Sequence, residues 1–249
     1  MARVTTHPSV LDVAGVGVHM LEEAAALARI EGIHDRGRAG MVTYVNPHTV
    51  NVASRDPTFA TVLASADVRL ADGFGIRIAA RRRGVRVPAI LNGSDFNATV
   101  LRRSARRGWP VFLLGGREGV AELAAQRLCS SIPGLTVVGT HHGFFGGDEA
   151  AAVAARIRAS RASVLMVALG QPRQEQWLAA YLEASGARVG LAVGGFLDFS
   201  SGRVRRAPHW MNRAGLEWSF RLAQEPRRLG RRYLLGNPRF LWRVMRTVP

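Results

Sequence analysis

The sequence predicts an α/β protein: a mainly parallel sheet with helices on both faces, followed by an Arg-rich helical C-terminal appendage. Three observations carry this. Short apolar runs alternate with helix-forming stretches through the first 200 residues, the order of successive βαβ units. The strongest run, Ser163–Leu169 (SVLMVAL), is apolar without alternation, as a strand buried on both faces must be. The runs end at glycine, Asn-Pro or Asp-Gly, residues that turn the chain. The arrangement is Rossmann-like, although no GxGxxG and no GxxxxGK[ST] is present.

Taken in order, Glu22–Ile30 (EEAAALARI) is rich in helix formers and opens an amphipathic helix. Gly40–Val45 (GMVTYV) is β-rich and stops at Asn46-Pro47. Pro57–Ala66 reads as a helix, Val68–Ala71 as a short strand ending at Asp72-Gly73, and Ile76–Arg83 as the next helix. Ser94–Arg107 is helical, with Ser94 or Asp95 as its cap. From there the alternation is regular. Strands are expected at Pro110–Leu114, Leu135–Gly139, Ser163–Leu169 and Arg188–Val193; helices are expected at Glu118–Cys129, Asp148–Ser160 and Gln174–Glu183. Beyond residue 200 the chain reads as short helices broken at Pro208, Pro226 and Pro238. The expected organisation is therefore an α/β body over 1–200 and a basic appendage over 201–249.

Composition excludes several classes. A chain of 249 residues with 47% hydrophobic and 21% charged residues is globular rather than disordered. One cysteine, Cys129, excludes a disulfide framework and a Cys-cluster zinc site. No run of 18 apolar residues is present to span a membrane. The first residues lack an apolar signal core, so a cytoplasmic location is expected. The net charge of +16 comes from 34 arginines and no lysine. Residues 201–249 hold 12 of those arginines against only Glu217 and Glu225. That segment wants an anionic partner: nucleic acid, phosphorylated ligand or anionic lipid. Apolar anchors mixed with cations over Leu234–Arg246 suit a helix lying on an anionic bilayer.

In a parallel α/β sheet, ligands bind beyond the carboxyl ends of the strands. The residues there are Asn46, Asp72, Gly115-Gly116, Gly170 to Gln174, and Gly194 to Asp198. Glycines at such ends let backbone N–H groups approach a phosphate, and the next helix N-terminus adds a favourable dipole. Asp72 is the candidate general base, able to take a proton from an attacking hydroxyl if partial burial tunes its pKa. Asp198 is the second carboxylate. The seven histidines show no HxxxH or HExxH spacing, and His141-His142 are expected to point opposite ways in an extended segment; no protein-held metal is expected. Arg221, Arg228 and Arg231, seven and three apart, would share a helix face, with Pro226 starting a new helix between them.

Read in order, these residues resemble the WecG/TagA/CpsF glycosyltransferase family. The matching stretches are Asn46-Pro47, Ala71-Asp72-Gly73, Gly93-Ser94-Asp95, Gly115-Gly116, His142-Gly143-Phe144-Phe145 and Gly170–Trp177 (GQPRQEQW). They continue through Val193–Phe199 (VGGFLDF), Arg206–Trp210 (RAPHW), Gly215–Leu222 (GLEWSFRL), Glu225–Leu229 and Arg231-Arg232-Tyr233. The likeness implies a metal-independent, inverting transferase with no cofactor, using a UDP-sugar, commonly a UDP-N-acetylhexosamine or its uronate. The implied acceptor is a sugar on a polyprenyl diphosphate at the anionic inner-leaflet membrane surface, in the synthesis of a cell-surface polysaccharide or teichoic acid.

Carried over, Asp72 matches the catalytic base, and Asn46 and Gln174 match residues around the sugars, with Tyr44 and Asp95 beside them. Gly115, Gly116, Gly170, Gly194, Gly195 and Asp198 fall to the nucleotide. Arg221, Arg228 and Arg231 match tail arginines that close over the site and meet the acceptor diphosphate. Two positions depart from members that transfer N-acetylmannosamine: Tyr44 stands where they carry Thr, and Ile90 where they carry Arg, with Arg86 the nearest substitute. No nucleic-acid partner is expected, since residues 1–200 carry only +6 and show no reader-helix or RNA-binding motif, and a homo-oligomer is left open. The competing readings are a non-catalytic UDP-sugar-binding or regulatory protein and, from the charge alone, a nucleic-acid-binding protein.

Overall fold

The computed structural model describes residues 10–208, 211 and 216–247, and the side chain of each of these except Arg228. His209, Trp210 and Gly215 of the resembling stretches, and residues 1–9, lie outside the described residues.

The chain begins with a hairpin of β1 (Val10–Val13) and β2 (Val16–His19), turned by Ala14-Gly15. Then follow α1 (Glu23–Asp35), β3 (Gly40–Val45), α2 (Pro47–Ala53), α3 (Pro57–Ser65), β4 (Val68–Ala71), α4 (Phe74–Arg82) and α5 (Gly93–Arg107). The second half alternates β5 (Val111–Gly115), α6 (Val120–Ser131), β6 (Val137–His141), α7 (Ala150–Ala159), β7 (Val164–Ala168), α8 (Arg173–Tyr181) and β8 (Val189–Ala192). The rest is helical: α9 (Phe196–Ser200), α10 (Glu217–Gln224), α11 (Pro226–Gly230), a π-helical turn at Arg231–Leu235, and α12 (Gly236–Arg246).

Among the described residues eight strands form one sheet in the order β1-β2-β4-β3-β8-β7-β5-β6. Only the β1–β2 pair is antiparallel. The predicted parallel sheet with helices on both faces is thus the observed fold. All the parallel strands deliver their carboxyl ends to one edge, where the order reverses between β3 and β8.

Side chains alternate across the sheet. Val42 and Tyr44 face a core built with α1, α5, α6 and α9. Met41, Leu114 and Val167 face the opposite one, built with α7 and α8. A third cluster lies under α2, α3 and α4, and α12 completes it with Phe240 and Val244, 1% and 3% exposed.

Several local expectations are corrected. The β1–β2 hairpin and the short helix α9 were not predicted. Asn46-Pro47 does not only stop a strand: Pro47 is the first residue of α2, a position whose N–H needs no intrahelical partner. Asn92, not Ser94 or Asp95, caps α5, accepting from the Ser94 N–H at 3.0 Å. Pro238 does not break the tail; it sits in the first turn of α12, where proline is tolerated. His141 and His142 do not point apart: their rings lie 4.5 Å apart, and His141 Nδ1 contacts the His142 carbonyl at 2.7 Å.

Candidate active site

The strand ends open into a cleft of about 1370 Å³, roofed by the C-terminal helices. Asp72 follows β4, and its backbone N–H still reaches the Val45 carbonyl at 2.9 Å, so the sheet holds it in place. Beside it, Asn46 ends β3 and caps α2. Its Oδ1 accepts from the N–H groups of His48 and Thr49 at 3.0 and 3.1 Å, while Thr49 Oγ1 accepts from the Asn46 N–H. That capping box spends the oxygen of the Asn46 amide. The Nδ2 end is left to donate to Asp72 Oδ2 at 3.3 Å.

Burial pushes the Asp72 carboxyl up to about 6, with the Glu217 carboxylate adding to the rise. The Asn46 hydrogen bond and the charges of Arg232 and Arg221 oppose it. The side chain is ionised at neutral pH and basic enough to accept a proton. His48, on the same wall, is lowered to about 4 by burial and by Arg232, so it stays neutral.

Beneath the cleft lies a buried polar hub. Glu175 is fully enclosed, and its Oε1 accepts from Thr43 Oγ1 at 3.0 Å, Gln171 Nε2 at 3.1 Å and Gln174 Nε2 at 2.9 Å. Burial raises its pKa, and the side-chain donors counter that. Gln174 Oε1 in turn accepts from the Gly194 N–H at 3.0 Å, fixing the loop after β8. Gln171 Nε2 also donates to Thr49 Oγ1 at 2.9 Å. One carboxyl therefore orients two glutamines of the cleft wall. Replacing it by Ala leaves the buried Gln174 amide N–H without an acceptor, which costs about 1–3 kcal/mol, whereas Gln171 keeps Thr49 Oγ1 and the Tyr44 carbonyl. Glu175→Ala is expected to lower the melting temperature and to slow turnover together; calorimetry beside a rate assay checks both.

Tyr44 forms a wall of the cleft: it is 5% exposed and donates to Asn97 Oδ1 at 2.6 Å. Burial raises its phenol well above the usual range, so it serves as a neutral donor. Gly116, Gly170, Gly194 and Gly195 line the cleft; Gly115 lies just below it, at φ +132°, where a Cβ would stand 2.5 Å from the Ala168 carbonyl oxygen. Asp198, on α9, lines the same end as Gly194 and Gly195.

The tail closes over these residues. Glu217 on α10 accepts from Asn92 Nδ2 at 2.7 Å, and Arg206 pairs with Asp95 at 2.6 Å, so two contacts latch it to the first turn of α5. Arg221 packs its guanidinium 5.1 Å from the Phe199 ring centroid, against Gly195. Its Nε is buried with no hydrogen-bond partner among the described residues.

The structure brings Asp72, Asn46, Tyr44, Gln174, Asp95, Asp198, Arg221 and all the named glycines except Gly115 onto one surface. Arg231 is exposed and outside the lining; Arg232 takes that place. The Arg228 side chain lies outside the described residues. A spacing of seven and three assumes one continuous α-helix. A break at Glu225 and the π-helical turn rotate the face instead. Glu217, Glu175 and Arg232 were missed as site residues, although each stands inside a resembling stretch, which was the available signal. Arg86 lines a neighbouring groove rather than the cleft. Among the described residues no three His, Cys, Asp or Glu side chains gather. Nor is any described helix long and apolar enough to cross a membrane.

A doubly wound sheet whose strand ends open into one cleft, with a buried carboxylate beside the switch point and arginines over glycine loops, defines a class: α/β proteins with a ligand cleft at the carboxyl edge of the sheet. The family model described as "Glycosyl transferase WecG/TagA/CpsF family" matches residues 11–248, and the chain belongs to that family. Membership makes glycosyl transfer its activity.

Proposed function

We propose that the protein transfers a sugar, of the N-acetylhexosamine, uronate or hexose type, from a UDP-sugar to a sugar carried on a polyprenyl diphosphate, with inversion and without a protein-held metal. The observation that carries this is Asp72, a carboxylate tuned to about 6 in a cleft whose far wall is glycine loop and arginine. In this reaction Asp72 takes the proton of the acceptor hydroxyl as its oxygen bonds to the anomeric carbon. The bond from that carbon to the UDP oxygen breaks, and UDP leaves with the electron pair. Arg221 beside Gly195 is placed to meet the developing charge; one preorganised donor is worth about 3–4 kcal/mol. The exposed Leu234, Trp242 and Met245, interspersed with Arg239, Arg243 and Arg246, fit attachment to the anionic inner face of the cell membrane.

The test is transfer from a panel of UDP-sugars to a lipid-diphosphate N-acetylglucosamine acceptor; a protein that binds the donors and transfers none would be a binder only. The base also sets a pH profile. Only the ionised carboxylate accepts a proton, so kcat/KM is expected to rise with pH through about 6 and level off. Glu217→Gln removes a like charge, so the rising limb is expected to move to lower pH. A limb that stays where it was would remove Glu217 from the tuning of the base.

A further inference from the structure

We propose that a groove beside the cleft is the subsite for the acceptor's diphosphate, distinct from the place where the donor's diphosphate sits. This rests on the proposed reaction, in which two diphosphates must be held at once. Arg221 stands against Gly195 and Phe199, at the end of the cleft given to the nucleotide, which puts it beside the donor's diphosphate rather than the acceptor's, where the resemblance had it. Arg232 is then the one arginine of the C-terminal helices still over the cleft, among the described side chains, that the acceptor could share. The acceptor's diphosphate carries more charge than one guanidinium meets, so it needs further cations.

The groove supplies them. It encloses about 590 Å³ and is walled by Arg77 and Arg81 of α4 and by Arg86 of the following loop. Val85, Val87 and Ile90 give it an apolar side. Arg77 and Ile90 also line the main cleft, so the two spaces adjoin. Arg77 and Arg81 are four apart on one helix face, and Arg86 comes from a separate segment. Among the described residues none of the three is ion-paired, whereas the neighbouring Arg83 pairs with Asp12. Unpaired guanidinium forks round one cavity suit phosphate oxygens.

The helix also acts as a ruler. Asp72 and Gly73 lead directly into α4. At 1.5 Å per residue Arg77 lies ~5 Å along the axis from Phe74, and Arg81 ~6 Å further. An acceptor hydroxyl at Asp72 therefore sets the sugar's own anomeric phosphates, one ring away, beside Arg77 and then Arg81. The hydrocarbon continues along the same line. Helix α12 runs beside α4, with Phe240 against Gly75 and the Thr247 carbonyl on Arg83 at 3.0 Å, and it exposes Trp242 and Met245.

The test uses the full chain and measures equilibrium binding of four probes: a short-chain isoprenyl diphosphate, inorganic pyrophosphate, UDP, and phosphatidylcholine vesicles with and without phosphatidylglycerol. Arg81→Ala with Arg86→Ala is expected to weaken isoprenyl diphosphate and pyrophosphate by about tenfold or more while leaving UDP unchanged. Arg221→Ala is expected to do the reverse. Arg81→Lys with Arg86→Lys, which keeps charge but loses the fork, is expected to fall between. Equal weakening of UDP, or unchanged isoprenyl-diphosphate binding in the double Ala variant, overturns the proposal. So does a loss confined to the phosphatidylglycerol vesicles, which would make the groove a headgroup contact. A wild-type chain that binds isoprenyl diphosphate but not UDP sinks the donor reading and leaves this subsite standing; one that binds neither diphosphate probe sinks the subsite.

Discussion

Asp72→Asn is expected to lower kcat by about 10²–10⁴-fold with UDP affinity unchanged, the contribution of a positioned general base. The amide keeps the shape of the carboxylate and its place beside Asn46, but it cannot take a proton. The same substitution has a second signature, in stability. The folded-state pKa of about 6 lies above the ordinary 3.8, so the ionised form is disfavoured in the folded chain. Ionisation therefore costs stability as pH rises from about 4 through about 6, and it costs nothing below that window. Asp72→Asn should melt higher than the wild type at pH 7.5, with the difference closing near pH 4. Single-turnover rates and paired melts read the two effects independently. A variant that transfers at near wild-type rate places the base elsewhere.

Removal of residues 203–249 is expected to abolish transfer and to destabilise the fold. Two substitutions separate those effects. Phe240 is 1% exposed in the cluster with Val45, Val50 and Ile76, so Phe240→Ala leaves a cavity costing about 3–5 kcal/mol. Arg221 fills no core position; Arg221→Ala is expected to keep the melting temperature and to lose about 10²–10³-fold in kcat, the scale of one lost charge-stabilising donor. Denaturant melts and transfer assays on both variants check this. Full activity in the truncated chain would show that the cleft works without its roof.

The fold was legible where the chain repeats itself. Apolar runs such as Val111–Gly115 and Val164–Ala168 are buried along their length; they carry no period of their own, but their shortness and the glycines and prolines that flank them mark them as strands. The hairpin was not: Val10–Val13 and Val16–His19 carry few strand-forming side chains in a row, and their pairing depends on β2 adding to β4. The strand-end residues could be gathered from the sequence because parallel topology sends every carboxyl end to one edge. The roof could not, since its register depends on the π-helical turn that puts Arg232 rather than Arg231 over the cleft. Glu175 was hidden for another reason. A carboxyl in the first turn of a helix reads as solvated, and only the packing of α8 on β3 encloses it.

The cleft's floor and walls are drawn from residues between 44 and 199, and its roof from residue 203 onward. Polypeptides leave the ribosome amino end first, and a sheet can begin to fold before its followers appear. A half-made chain thus displays its base and its glycine loops with no arginine above them. Closure of the cleft arrives as a step, when the roof emerges, rather than growing with length. Ribosome-stalled chains released at successive lengths would show that step, or would show transfer already under way before the roof exists.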